Sequence, residues 1–316
     1  MTALLKAALP GLVRPMVEPH IEGLDVTWFM STEEAEQAAK TAEIGWFDMY
    51  DKLRMRAIIE SAENLKWLNT IYAGLDHFPL ETLRSRGTTL TNGAGINAIP
   101  IAEFVVMGML AAAKRLDTIL EAQADKTTLN GPPGTVELFE GKALIIGYGA
   151  IGQQIAKTLS GFNMDVTAVR RTPDSDPVII GADEWRARLA EFDWVILAAP
   201  ATDETRHMIG AEELAAMKNS AWLINVARGT LVDQIALASA LTSKTIGGAI
   251  LDTVEPEPLP ADDALWDTPN TFLTMHLSGN ATSRMFERAA KRFVENFALY
   301  RNGETMVAEA NLDLGY

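Results

Sequence analysis

The sequence predicts an α/β chain built on a doubly wound parallel sheet. Apolar runs at 142–146, 164–169, 193–198, 221–225, 246–251 and 271–275 alternate with stretches of helical spacing, the pattern of parallel strands joined by crossover helices. The first run ends in Gly147-Tyr148-Gly149-Ala150-Ile151-Gly152, a tight turn that opens a helix. A smaller α/β layer precedes it, with strands at 24–29, 65–72 and 88–91 and helices at 32–41 and 51–61. Between the layers, 100–120 reads as one long buried helix with Pro100 at its start, followed by the polar loop 130–134, a hinge or crossover. At the C-terminal end, Phe286, Ala290, Phe293, Val294 and Phe297 share one face of a helix over 283–300 that stops at Asn302-Gly303.

The glycine turn carries the first chemical expectation. In strand–GxGxxG–helix the first glycine permits the turn, the second lets backbone N–H groups approach a pyrophosphate, and the third lets helix pack on strand. The helix N-terminus then faces the anion. An ordinary βα corner can carry the same three glycines, but the flanking strand and helix favour a dinucleotide. The second strand ends in Arg170-Arg171-Thr172, where an NAD site would usually place an acidic residue for the ribose 2′-hydroxyl. A guanidinium offers paired donors to a 2′-phosphate, so this position favours NADP(H) over NAD(H), although a solvated basic turn is the alternative.

Composition narrows the remaining classes. The chain has 316 residues, 48% of them hydrophobic, enough for two medium domains with buried cores. A formal charge of −15 argues against nucleic acid as a partner, because an acidic surface repels phosphate backbones. There is no cysteine, which excludes disulfides, thiol nucleophiles and cysteine-held metals. The four histidines, at 20, 77, 207 and 276, lack metal-ligand spacing, so no metal is expected. The first ten residues lack a convincing signal-peptide pattern, and the apolar segment 99–113 is too short to span a bilayer. The expectation is a cytoplasmic protein with no membrane role.

In open α/β sheets the ligand lies beyond the carboxyl ends of the strands. Polar groups stand past three successive strands there. Arg228 follows the strand ending at Asn225, Asp252 and Glu257 follow the next, and His276 follows the last. Each taken alone reads as a surface charge or a satisfied polar residue. Together they complement one another: an arginine fork holds a carboxylate, a histidine exchanges a proton near neutral pH, and a glutamate orients the imidazole and stabilises its charged form.

An ordered series of segments then resembles the D-isomer-specific 2-hydroxyacid dehydrogenase family, which includes glyoxylate/hydroxypyruvate reductases and phosphoglycerate dehydrogenases. It runs through residues 65–76, with Ala73-Gly74-Leu75-Asp76, through 91–97 followed by Ala102-Glu103-Phe104, and through the glycine turn at 147–152. It continues in Pro200 to Arg206, Asn225 to Gly229, Gly248 to Asp252, Glu257-Pro258 and His276-Leu277-Ser278-Gly279.

The resemblance implies two Rossmann-like domains: a cofactor domain, 99–281, inserted in a smaller flavodoxin-like substrate domain, 1–98 and 282–316. It implies hydride transfer between a nicotinamide dinucleotide and a 2-oxo acid or D-2-hydroxy acid, with NADP(H) preferred on the arginine argument and NAD(H) possible. Arg228 would bind the substrate carboxylate and polarise its carbonyl, His276 would be the acid/base, and Glu257 its partner. Backbone at Ala73, Gly74 and Leu75 would close on the carboxylate. Gly147, Gly149, Ala150, Ile151, Gly152, Arg170, Arg171, Thr172, Pro200, Thr205, Val226 and Ala227 would line the cofactor, and Asp252 would touch its nicotinamide side. The apolar helix 100–120 resembles the segment through which family members dimerise, which implies a homodimer.

Three departures from the family pattern stand out. Met275 replaces a proline common before the histidine, Leu277-Ser278-Gly279 replaces Ile-Gly-Gly or Ile-Ala-Gly, and the segment 128–139 lacks a tryptophan that many relatives carry. A non-catalytic dinucleotide sensor of the corepressor type is the alternative reading, and a methyltransferase is disfavoured by the absence of an acidic ribose ligand.

Overall fold

The computed structural model describes residues 4–172, 176, 178–280 and 282–313. Two compact units emerge, Met1–Asn97 with Ala281–Tyr316, and Ala98–Asn280. The chain enters the first through β1 (Leu5–Pro10), α1 (Arg14–Val17), β2 (Leu24–Phe29), α2 (Thr32–Ala39), β3 (Ile44–Gly45), α3 (Lys52–Ser61), β4 (Trp67–Asn69), α4 (Leu80–Arg86) and β5 (Thr89–Thr91). Its sheet is parallel, in the order β2-β1-β3-β4-β5. The segment at 5–10, for which the sequence pattern predicts no strand, is a central strand with Ala8 and Leu9 fully buried. A strand buried on both faces reads as a short apolar run, so periodicity does not mark it.

The second unit begins with α5 (Ala98–Lys114) and α6 (Leu116–Ala124). The single helix expected over 100–120 is therefore two. Arg115 sits at φ 51, where the backbone turns left-handed, and its guanidinium folds onto Asp117 at 2.8 Å. The loop expected at 130–134 packs on this break: a Cβ on Gly134 would lie 2.5 Å from the Lys114 carbonyl carbon, and Lys114 Nζ donates to Val136 O at 2.7 Å. Strands and helices then alternate through β6 (Lys142–Ile146), α7 (Ala150–Ser160), β7 (Asp165–Val169), β8 (Ile179–Ile180), β9 (Trp194–Leu197), α8 (Ala211–Ala216), β10 (Trp222–Asn225), α9 (Gln234–Thr242), β11 (Gly248–Leu251) and β12 (Thr271–Leu273).

All seven strands of this unit are parallel, in the order β12-β11-β10-β9-β6-β7-β8. The chain moves outward in opposite directions on either side of the β6–β9 pair, which makes that pair the switch point of a doubly wound sheet. Alternate residues serve opposite faces. Leu144 and Ile146 join Leu214, Leu237 and Leu241 on one side, while Ala143 and Ile145 join Val105, Met109, Ile155 and Leu159 on the other.

The last helix, α10 (Thr282–Asn302), returns to the first unit. Its expected apolar face is the face it buries: Ala290, Phe293 and Phe297 are at most 3% exposed. Phe293 stacks on Trp67 with centroids 4.9 Å apart and on Trp46 at 5.6 Å. A buried aromatic of this kind contributes about 2–3 kcal/mol by burial alone. Among the described residues no helix is long and apolar enough to cross a membrane.

Candidate active site

The glycine turn lies at the switch point and each glycine has a separate physical reason. Gly147 has φ +105, and a Cβ there would stand 2.4 Å from Ala199 N, against the end of β9. A Cβ on Gly152 would stand 2.1 Å from Gly147 O, so this glycine sets how closely α7 approaches the turn. Around Gly149 nothing lies within 4 Å of an added Cβ. Gly149 is also the N-cap of α7, with no side chain capping its N–H groups. An open approach to uncapped N–H donors, beside Ala150 and Ile151, fits a pyrophosphate.

Other positions expected at the cofactor surround this turn with mixed roles. The β7 end carries Arg170, Arg171 and Thr172, all exposed. Arg171 pairs with Glu204 at 3.1 Å. Thr205 folds its own loop, accepting from Thr202 N–H at 2.8 Å and donating to Pro200 O at 2.8 Å. Val226 and Ala227 are buried beneath the end of β10.

Three neighbouring parallel strands, β10, β11 and β12, deliver the polar groups to one edge of the sheet. Asn225 ends β10 and is 1% exposed. Its amide shapes the turn that follows, accepting from Ala227 N–H at 3.0 Å and donating to Arg228 O at 2.8 Å. Arg228 is half-buried, and one of its guanidinium nitrogens donates to Ala227 O at 2.8 Å. Next to it, a Cβ on Gly229 would lie 2.1 Å from the Val254 carbonyl. The arginine turn therefore rests against the segment that leads to Glu257.

Glu257 bridges. One carboxylate oxygen accepts from Val254 N–H at 3.1 Å and the other meets His276 Nδ1 at 2.8 Å. A carboxylate only accepts, so Nδ1 carries the proton and Nε2 is the ring nitrogen left for chemistry. The imidazole is half-exposed, as a group that meets a ligand must be.

Asp252, which the resemblance assigns to the nicotinamide side, follows the end of β11. It is 2% exposed, and its carboxylate accepts from Thr274 Oγ1 at 2.8 Å and from Leu277 N–H at 2.9 Å. Its carbonyl accepts from His276 N–H at 2.6 Å. The turn so held has Met275 at φ +56 and His276 at φ +58. Proline is locked near −65°, so the methionine that departs from the family pattern is a residue this turn can accommodate.

In the first unit, Ala73, Gly74 and Leu75 follow β4. Asn92 Nδ2 donates to Ala73 O at 3.2 Å, Gly93 N–H to Tyr72 O at 2.8 Å, and Leu75 is buried. The residue that sequence reasoning did not single out is Asp48, past the end of β3. Its carboxylate accepts from Trp46 Nε1 at 2.6 Å, from Ile71 N–H at 2.7 Å and from the Thr70 hydroxyl. It therefore pins the loop that leads into Ala73. Burial pushes the Asp48 carboxyl up, against the pull of those donors and of Lys52. Lys52 lies 3.3 Å from the centroid of the Tyr72 ring and donates to Met49 O at 2.8 Å. Burial pushes this lysine down, and burial with the Asp48 charge pushes the Tyr72 hydroxyl up to about 12.

The family model described as D-isomer specific 2-hydroxyacid dehydrogenase, NAD binding domain, matches residues 106–278. The chain is 34% identical over 270 residues to a glyoxylate reductase of Thermofilum pendens, covering 81% of this chain and 78% of that one. It is 31% identical over 303 residues to glyoxylate/hydroxypyruvate reductase B of Pectobacterium carotovorum, covering 92% of each. A D-isomer specific 2-hydroxyacid dehydrogenase family protein from Aeromonas salmonicida superposes with a TM-score of 0.87 at 28% identity, covering 98% of this chain and 100% of that one. With a doubly wound nucleotide unit and a His–Glu pair at its strand ends, the chain belongs to the D-isomer-specific 2-hydroxyacid dehydrogenase family.

Proposed function

We propose that this protein reduces a small 2-oxo acid to the D-2-hydroxy acid, with NADPH as its preferred reductant. The observation that carries the reading is the 2.8 Å contact between His276 Nδ1 and Glu257, at the edge where Arg228 also emerges. The likeness to glyoxylate and hydroxypyruvate reductases supports the same chemistry.

The dinucleotide, when bound, supplies a hydride to the keto carbon. Arg228 fixes the substrate carboxylate and meets the developing charge on the keto oxygen with its guanidinium. His276 delivers a proton to that oxygen from Nε2, while Glu257 holds Nδ1 and stabilises the charged ring. On the family resemblance, backbone at Ala73, Gly74 and Leu75 is also assigned to the carboxylate. Gly147, Gly149, Ala150, Ile151 and Gly152 hold the pyrophosphate, with Pro200, Thr205, Val226 and Ala227 beside it. Arg170, Arg171 and Thr172 take a 2′-phosphate. The exposed Ile99, Met107, Leu110, Leu116, Ile119 and Leu120 on α5 and α6 support a homodimer.

Steady-state assays of glyoxylate, hydroxypyruvate and phenylpyruvate against both reduced nicotinamide dinucleotides test this reading. Turnover of one or more, with higher kcat/KM for NADPH, is expected. No turnover with any 2-oxo acid, despite tight dinucleotide binding, would point instead to a sensor.

A further inference from the structure

The carboxylate of Asp252 is filled by the turn that carries His276. Thr274 Oγ1 and Leu277 N–H bond Oδ1 at 2.8 and 2.9 Å, Ser278 N–H reaches Oδ1 at 3.1 Å and Oδ2 at 3.2 Å, and the Ser278 hydroxyl donates to Oδ2. A carboxylate offers about four lone-pair sites, and this one is 2% exposed. With His276 N–H on the Asp252 carbonyl, three successive backbone N–H groups, at 276, 277 and 278, close on a single residue. The side chain that completes the set is Ser278, 4% exposed, at a position where the family pattern has glycine or alanine.

We propose that Asp252 and Ser278 are positioning residues for His276, and that in this chain the Asp252 carboxylate serves the histidine turn rather than the nicotinamide. Two consecutive residues at positive φ are strained and persist only where the surroundings hold them. The Asp252 carboxylate is that hold, and the Ser278 hydroxyl completes its set of donors. The consequence is directional: loosening the turn moves the imidazole off Glu257 without touching the arginine turn, which Asn225 holds. The proposal rests on His276 being the acid/base.

Ser278→Ala, Ser278→Thr, Asp252→Asn and His276→Ala separate the two levels, each checked for folding by its thermal midpoint. Ser278→Ala is expected to lower kcat about tenfold with the KM for the 2-oxo acid and the dissociation constant for NADPH within twofold of wild type. The alkaline limb of its kcat–pH profile should move to lower pH, and Ser278→Thr should recover most of the rate. Asp252→Asn should lower kcat further while still binding NADPH normally. If an unstable Ser278→Ala obscures the rate, Thr274→Val removes one donor from the same carboxylate and should show a smaller loss of the same kind. A Ser278→Ala enzyme with wild-type kcat and pH profile overturns the proposal, as does an Asp252→Asn enzyme whose main defect is weak NADPH binding. Full activity in His276→Ala would instead overturn the reading of the reaction.

Discussion

At the scale of single residues, three carboxylates are committed to different partners. Glu257 faces an imidazole, Asp252 faces backbone and hydroxyl donors of the histidine turn, and Asp48, within the first unit, faces three donors of its own. Asp48 has a titration consequence. Its folded value is raised above the ordinary carboxylate range by burial, so the stability it contributes is present below that range and is lost as pH rises through the raised value. Urea midpoints of wild type and Asp48→Asn, measured between about pH 4 and pH 7, should show the wild-type advantage shrinking with rising pH. An advantage that grows with pH would mean the three donors outweigh burial. Arg228, Glu257 and His276 were legible in the sequence because each lies just past an apolar run that reads as a strand. Asp48 was not, and Ser278 showed only as a departure from the family pattern: their partners Thr70 and Asp252 lie 22 and 26 residues away, and only the fold brings them together.

At the scale of elements, legibility followed length. The strands at 24–29 and 142–146 have the ends their patterns indicate, and each of the five expected runs after them contains a strand one or two residues shorter. The two-residue strands β3 and β8 are too short to show a period of two, and β1 lies in a short apolar run without alternation. The break between α5 and α6 carries no glycine or proline at Arg115, the usual marks of a helix end. The glycine turn makes the most specific element-scale prediction, because its glycines face different surroundings. Gly149→Ala meets open space, so its thermal midpoint should stay near wild type while dinucleotide affinity falls. Gly152→Ala drives a Cβ toward Gly147 O and should lose both, at about 1–3 kcal/mol of stability. Thermal unfolding and fluorescence titration of the two variants check the contrast; equal destabilisation would contradict the assigned roles.

At the scale of the whole molecule, a chain of net charge −15 must gather anionic ligands through local cations. Under the proposed NADPH preference Arg170 and Arg171 are such a place, and Arg171 is shared with Glu204. An exposed pair of this kind is weak and salt-sensitive, so a 2′-phosphate can compete for it. Replacing both arginines with serine should weaken NADPH binding about tenfold or more, as the loss of charge-assisted contacts to a phosphate requires, and leave NADH nearly unchanged. Binding titrations with both nucleotides check this, and unchanged selectivity would remove the phosphate assignment. The sequence foresaw the doubly wound sheet because its strands alternate regularly with helices.

The most direct measurement of the central claim is steady-state reduction of a 2-oxo acid by NADPH in His276→Ala and Arg228→Ala. The account predicts that His276→Ala loses kcat by about 10²–10⁴-fold with KM little changed, whereas Arg228→Ala also raises KM strongly, because one group acts in the transition state and the other already binds substrate. Matching losses of kcat and KM in the two variants, or activity retained in His276→Ala, would contradict it.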